Sequence, residues 1–271
     1  MSALIDSLAE EAFAREVEQT ARVRTPQLLP LEDRVVFVTG AASGLGAAIA
    51  RDLVEQGARV VLADINRLKA GQHAESIDPR GERSLVVTCD VSDAEDCVAA
   101  IERSVSHFGT IDALVNNAGT DVTCAIGDLS VADFDRVLST NLRGPFLLIK
   151  AALPALIDGY DGEGGQIVNI ASTAARRAWP NASAYHASKW GLLGLTQSIH
   201  AELRARGVRV TSVIAGGMRT PFLLDRFSDL DPALLQDPAN VALGVRFALT
   251  MPRGSVVPEL MVLPQNETSW P

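Results

Sequence analysis

The run Tyr185-His186-Ala187-Ser188-Lys189 carries a phenol and an amine at positions i and i+4. On a helix that spacing puts both groups on one face. An ammonium beside a phenol favours the phenolate and is expected to lower its pKa from about 10. A tyrosine tuned in that way passes protons near neutral pH. Ser172 stands 13 residues upstream of Tyr185, at the end of a predicted strand.

A second cluster, Thr39-Gly40-Ala41-Ala42-Ser43-Gly44-Leu45-Gly46, joins a short apolar run to a helical pattern. Gly40 lets the chain turn sharply, Gly44 lets backbone approach a pyrophosphate, and Gly46 lets helix and strand pack closely. The helix that opens there offers unpaired N–H groups and a partial positive charge to phosphates. Its spacing is G-x-x-x-G-x-G rather than G-x-G-x-x-G, so the turn alone carries limited weight. Asp64 adds to it by ending the second predicted strand, about 20 positions further on. A carboxylate there accepts hydrogen bonds from both ribose hydroxyls and repels a 2′-phosphate. No Arg or Lys lies in the glycine turn, and Arg67 is the nearest basic residue after Asp64. This charge argument favours NAD(H) over NADP(H).

Such groups need a scaffold that brings strand ends together. From Leu31 onward the pattern alternates strand and helix. Continuous apolar runs predict strands at 35–38, 59–63, 84–88, 113–116, 166–170, 208–214 and 259–262, as expected of strands covered on both faces. Helical patterns fall at 47–56, 93–108, 131–157 (broken near 141–145), 183–206 and 241–250, and 158–165 reads as a glycine-rich loop. Alternation of this kind implies βαβ units and a doubly wound parallel sheet of about seven strands, a Rossmann-type α/β fold with helices on both faces. Ligands bind such sheets outside the strand C-termini, where most of these motifs fall. Residues 31–271 read as that one domain. Residues 1–30 read as a leader, with a helix over 2–22 that Pro26 and Pro30 stop.

Composition narrows the function classes. A chain of 271 residues that is 47% hydrophobic and 21% charged is that of a globular protein large enough to need no staples. Its net charge of −9 argues against nucleic-acid binding. Cys89, Cys97 and Cys124 have neither metal nor redox-motif spacing and read as free thiols in a reducing compartment. Residues 1–11 lack a basic start, and Asp6, Glu10 and Glu11 interrupt any apolar run, unlike a signal peptide. No segment approaches the roughly 18 apolar residues of a membrane span. A cytoplasmic protein with no membrane or nucleic-acid partner and no metal is expected.

Taken in order, these motifs resemble the short-chain dehydrogenase/reductase family in its short single-domain branch. The resemblance runs over about 31–271. It rests on Thr39 to Gly46, Asp90-Val91, Asn116-Asn117-Ala118-Gly119, Asn141, Ser172, Tyr185 with Lys189, and Gly216-Gly217-Met218-Arg219-Thr220-Pro221. It implies hydride transfer between a nicotinamide cofactor and a secondary alcohol or ketone. Tyr185 would be the general acid/base on the substrate oxygen. Lys189 would tune it and bind the nicotinamide ribose, and Ser172 would hydrogen-bond the reacting oxygen. Asn141 would hold a water in a proton relay. Gly40, Ser43, Gly44, Leu45 and Gly46 would meet the phosphates, Asp90 and Val91 the adenine, and Asn117, Ala118 and Gly119 the adenosine side. Met218 and Thr220 would hold the carboxamide. The family's usual assembly, a homotetramer or dimer through the two longest helices and the last strand, is implied too. One departure is Ala215-Gly216 where the family has Pro-Gly, which removes a φ restraint from this loop.

Trp179, Met218, Phe222, Leu223, Leu224 and Phe227 are placed to form a pocket. Residues 220–231 would lie over it as a lid, suggesting a substrate with an apolar portion. His186 points about 100° away from Tyr185 and reads as packing or surface. Arg176 and Arg177 read as surface. The alternative function is a catalytically silent dinucleotide sensor or scaffold on the same fold.

Overall fold

The computed structural model describes residues 27–267. The leader helix expected over 2–22 lies outside them. Seven strands form one parallel sheet in the order β3-β2-β1-β4-β5-β6-β7. They are β1 (Val35–Thr39), β2 (Arg59–Asp64), β3 (Ser84–Thr88), β4 (Ala113–Asn116), β5 (Gln166–Ser172), β6 (Arg209–Ala215) and β7 (Glu259–Val262). The inner strand β1 is buried along its whole length, which explains why Val-Val-Phe-Val-Thr shows no polar alternation. The chain winds outward from β1 to β3, then restarts on the other side with β4. The switch point therefore lies between β1 and β4, at their C-terminal ends.

Helices cover both faces. On one face α1 (Gly44–Glu55) packs Leu45, Ile49 and Leu53 against Val241, Val245 and Leu249 of α8 (Pro238–Thr250). On the other, α3 (Ala94–Phe108), α5 (Gly144–Gly162) and α6 (Ser183–Leu203) close over Phe37, Leu114 and Ile167. The break expected near 141–145 is real: α4 (Val131–Leu138) runs through a π-helical turn, Ser139–Arg143, into α5. In the segment expected as a loop over 158–165, α5 is bounded at Gly162, but Gly159, Tyr160 and Asp161 leave helical backbone angles and break it there.

One helix goes unforeseen, α2 (Arg67–Ile77), whose buried residues are Ala70 and Ala74 while Leu68 is exposed. It shows no apolar stripe to read. It is started instead by Asn66, whose side chain accepts from the Lys69 N–H. A short α7 (Pro221–Leu224) begins the lid.

The N-terminal ends of the strands carry a polar knot rather than a cavity. Buried Asp112 accepts from the N–H groups of Val35 (2.8 Å) and Tyr160 (2.7 Å). The Tyr160 hydroxyl donates to Gln166, and burial pushes that phenol up to about 12. Among the described residues no helix is long and apolar enough to cross a membrane.

Candidate active site

At the opposite end of the sheet lies a cavity of about 910 Å3, the size of a small-molecule or cofactor site. Its floor is the switch point, and hydrogen bonds lace that floor together. The Thr39 hydroxyl at the end of β1 accepts from the N–H groups of Asn117 and Ala118, both at 2.9 Å, just past β4. The Asn117 amide donates back to the Thr39 carbonyl. Gly40 and Gly44 have φ of 64° and 55°, a region that side-chain-bearing residues avoid. A Cβ at Gly40 would also press on the Ala118 backbone at 3.0 Å.

Gly46 stands behind the turn rather than on the cavity. A Cβ there would lie 2.1 Å from the Gly40 carbonyl oxygen, so its bareness lets α1 sit close on the turn. Ser43 at the N-cap makes no side-chain hydrogen bond to α1, leaving the first-turn N–H groups without a side-chain cap. α1 begins at Gly44, three residues earlier than its apolar pattern suggests.

Asp64, Asp90, Val91 and Gly119 border the same cavity. The Asp64 carboxylate accepts from the Ala42 N–H through one oxygen (2.9 Å) and from the Asn66 N–H through the other (2.8 Å). Each oxygen keeps a lone pair for a ligand. The Asp90 carboxylate is held by the Ser92 N–H and hydroxyl. Arg67 is exposed and off the cavity, whose basic lining residues are Arg136 and Lys189.

Ser172, Tyr185 and Lys189 converge on the cavity from β5 and the first turns of α6. The Ser172 hydroxyl accepts from the Ala174 N–H at 3.1 Å and lies near enough to the Tyr185 phenol to draw its pKa down. Lys189 Nζ donates to the Ile170 carbonyl at 2.8 Å and stands 5.7 Å from the centroid of the Tyr185 ring. Burial dominates both titrations. It pushes Tyr185 up to about 12 and brings Lys189 down to about 8. The expected lowering of the phenol pKa by its lysine is thus not met, because loss of hydration outweighs every charge nearby.

Asn141 lies behind this trio, fully buried and off the cavity. Its amide donates to the Thr120 carbonyl and the Ser188 hydroxyl, and its side-chain oxygen accepts from the Thr120 N–H. The side chain therefore ties the loop after β4 to α6.

The loop after β6 shows how the chain manages without proline. β6 continues through Ala215, which pairs with Ser172 on one side and Val262 on the other. Sheet pairing fixes the backbone where the proline ring would have done so. Beyond it Met218 bridges to Gln236, and Gln236 reaches the Val262 carbonyl. Met218 and Thr220 both line the cavity.

The far end is walled by Trp179, Phe222, Leu223, Phe227 and Leu230. Leu224, also expected there, is not part of the lining. His186, read as packing or surface, turns out to brace this wall. Its Nδ1 bonds the Ala174 carbonyl (2.8 Å) and its Nε2 accepts from the Trp179 N–H (3.2 Å). That pattern fixes the neutral Nδ1–H tautomer. The reading as a packing residue holds, though the helical wheel shows where a side chain points and not which loop folds back to meet it. Arg176 pairs with Glu259 on the surface.

A Rossmann-type sheet with a glycine turn, a strand-end carboxylate and a Ser–Tyr–Lys group in one cavity defines a class of oxidoreductases. Residues 34–231 match the profile of the short chain dehydrogenase family, and the chain belongs to it. It is 38% identical over 195 residues to trans-4-hydroxycyclohexanecarboxylate dehydrogenase of Sinomonas cyclohexanicum, covering 70% of this chain and 74% of that one. It is 39% identical over 194 residues to (−)-isopiperitenol/(−)-carveol dehydrogenase of Mentha piperita, covering 70% and 72%. Among solved structures, 3-ketoacyl-(acyl-carrier-protein) reductase from Brucella melitensis, complexed with NADH, superposes with a TM-score of 0.79 at 31% identity. That match covers 87% of this chain and 99% of the other.

Proposed function

We propose that the protein is an NAD-dependent dehydrogenase that interconverts a secondary alcohol bearing an apolar portion and its ketone. One observation carries this reading. A single cavity runs from the bare glycine turn and Asp64, past Ser172, Tyr185 and Lys189, to an apolar wall. The residues present fit a dinucleotide. Gly40 and Gly44 leave room where a Cβ would intrude, uncapped α1 N–H groups face phosphates, and Asp64 retains lone pairs for ribose hydroxyls. Asp90, Val91 and Asn117 to Gly119 would hold the adenosine side, Lys189 the second ribose, and Met218 and Thr220 the carboxamide.

When bound, the nicotinamide supplies the acceptor or donor of hydride. The chain's own residues handle the proton. Tyr185 takes the alcohol proton as the carbonyl forms and returns it in reduction. The Ser172 hydroxyl, beside the phenol on the same cavity, donates to the same substrate oxygen and stabilises charge growing there. Lys189, reluctant to hold a proton in its dry site, is suited to pass one on. Asn141 keeps the loop and α6 in register for that relay. The relatives' substrates, one an alcohol on a cyclohexane ring and one carveol, support an alcohol with a hydrocarbon body.

Titration of the purified protein with NADH and NADPH, followed by nicotinamide fluorescence, is the test. NADH is expected to bind more than tenfold tighter, because a carboxylate facing a 2′-phosphate at about 4 Å costs several kcal/mol. Asp64→Ala is expected to bring the two affinities together. Tighter NADPH binding by the unaltered chain would overturn the assignment of Asp64.

We further infer a homo-oligomer. Phe146 of α5 is 48% exposed and Trp190 of α6 is 52% exposed, on the two longest helices. Light scattering is expected to give a dimer or tetramer mass, and a monomer would refute this.

A further inference from the structure

The apolar wall of the catalytic cavity has a second hollow beside it. Trp179, Leu223, Phe227 and Leu230 line the cavity. The same four residues line a more open hollow of about 610 Å3, whose other lining residues all belong to the lid. Ser172, Tyr185 and Lys189 border the first space and not the second. The two spaces therefore meet at those four residues. Three of the four belong to the lid, and Trp179 comes from the loop that leads from Ser172 to α6.

Trp179 is 40% exposed, and a large side chain so little buried needs a specific contact to hold one position. His186, on the first turn of α6, supplies it in two ways. Its Nε2 accepts from the Trp179 N–H at 3.2 Å. Its ring meets the indole edge to face, with centroids 4.4 Å apart and planes at 68°. On its other side Nδ1 bonds the Ala174 carbonyl at 2.8 Å, and the Ala174 N–H donates to the Ser172 hydroxyl. One imidazole thus ties the wall to the segment that carries Ser172. Histidine suits this place because its neutral ring bonds one donor and one acceptor at once.

We propose that His186 is a positioning residue for substrate size. By fixing Trp179 it keeps the catalytic cavity apart from the second hollow, so that the enzyme is confined to compact apolar alcohols. The inference rests on the alcohol reading of the same cavity. With Trp179 set free the two spaces run together, and a fused-ring alcohol gains room for its outer ring. Whether hydrocarbon fits a hydrophobic pocket is worth about tenfold to 200-fold in kcat/KM for a single methylene. His186 itself does not line the cavity. Its effect therefore falls on the binding of large alcohols rather than on proton transfer at Tyr185.

The test compares kcat/KM for trans-decahydronaphthalen-2-ol and cyclohexanol, with NAD present, in the unaltered enzyme, Trp179→Ala and His186→Ala. The ratio of the fused-ring to the single-ring alcohol is expected to rise about tenfold in Trp179→Ala, which removes the boundary, and about fivefold in His186→Ala, which releases it. The gain is expected as a lower KM for the larger alcohol. Taking the ratio within each enzyme cancels general damage, which would slow both alcohols without favouring the larger. If His186→Ala does not fold, His186→Phe, which keeps a ring and loses both hydrogen bonds, is expected to raise the ratio severalfold. An unchanged or lower ratio in the His186 variant overturns the positioning role and leaves the alcohol reading standing. An unchanged ratio in Trp179→Ala overturns the boundary itself. If none of the proteins turns over either alcohol, the boundary and the apolar-alcohol reading fall together.

Discussion

Tyr185→Phe is expected to cut turnover by about a hundredfold to ten-thousandfold, the usual worth of a positioned general acid/base. NADH affinity is expected to stay within about threefold. The two parts of the result follow from one geometry. The phenol and Ser172 border one cavity at the C-terminal end of β5, where an alcohol proton would leave. The ring itself packs against Phe222 and fills space that phenylalanine fills as well. Only the hydroxyl is lost, so the fold and the glycine-turn end of the cavity are untouched. Stopped-flow absorbance of NADH formation checks the rate, and nicotinamide fluorescence checks the binding. A loss of less than about tenfold would remove Tyr185 from the chemistry. The pH profile of the ligand-free enzyme gives a second check. With the phenol pushed up to about 12 by burial, no tyrosinate should be seen spectroscopically below pH 10 in the absence of cofactor.

Lys189→Met is expected to abolish measurable turnover and, in the same protein, to raise the melting temperature. Lys189 is 4% exposed, and burial brings its amine from 10.5 down to about 8. Its folded pKa lies below its unfolded value, so the unfolded chain binds the proton more tightly. Charged Lys189 therefore destabilises the fold, fully below about pH 8. The penalty fades between 8 and 10.5 and is absent above that. Its size at neutral pH is about 3 kcal/mol, at 1.36 kcal/mol per pH unit. Methionine fills similar volume without a charge. A gain on the order of 5 °C at pH 7 follows for a chain of this length, shrinking as pH rises through 8 to 9.5. Calorimetry at several pH values checks it. A lysine-containing protein whose stability does not depend on residue 189 would mean that the ammonium is hydrated rather than dry.

Part of this site could be read from sequence because its residues sit at strand ends. A strand buried on both faces announces itself as a short apolar run, and the residue after it is then placed at the sheet's C-terminal edge. That reasoning located Gly40, Asp64 and Ser172, the family resemblance added Asn117 and Met218, and the structure brings all five to one cavity. What failed to show has a common physical cause. Helix α2 buries only two alanines, so its pattern carries no amphipathic signal. The ladder from Ser172 and Ala215 to Val262 depends on register between strands far apart in the chain. Asp121, after β4, and Arg226, in the lid, form an ion pair at 3.8 Å although more than a hundred positions separate them, in loops whose path no periodicity describes. Their partnership exists only once the lid has folded over. The lowered tyrosine pKa expected from its i+4 lysine failed for a different reason. Spacing reports proximity, whereas hydration decides which charge survives at that depth.

Under the proposed reading, Asp64 does two jobs that a single substitution cannot separate. Its oxygens hold the Ala42 and Asn66 backbones, joining the glycine turn to the start of α2. A residue at position 64 without an acceptor oxygen would leave the part-buried Ala42 N–H unmet, at roughly 1–3 kcal/mol, while the exposed Asn66 N–H turns to water. Proteins carry only about 5–15 kcal/mol in all. A change of dinucleotide preference is therefore not one mutational step but an ordered pair. A stabilising change must come first, and the swap at 64 is tolerated afterwards. In the reverse order the intermediate is the least stable protein on the path. Aspartate at this position would then persist in a lineage for architectural reasons even where selection on the cofactor had ceased.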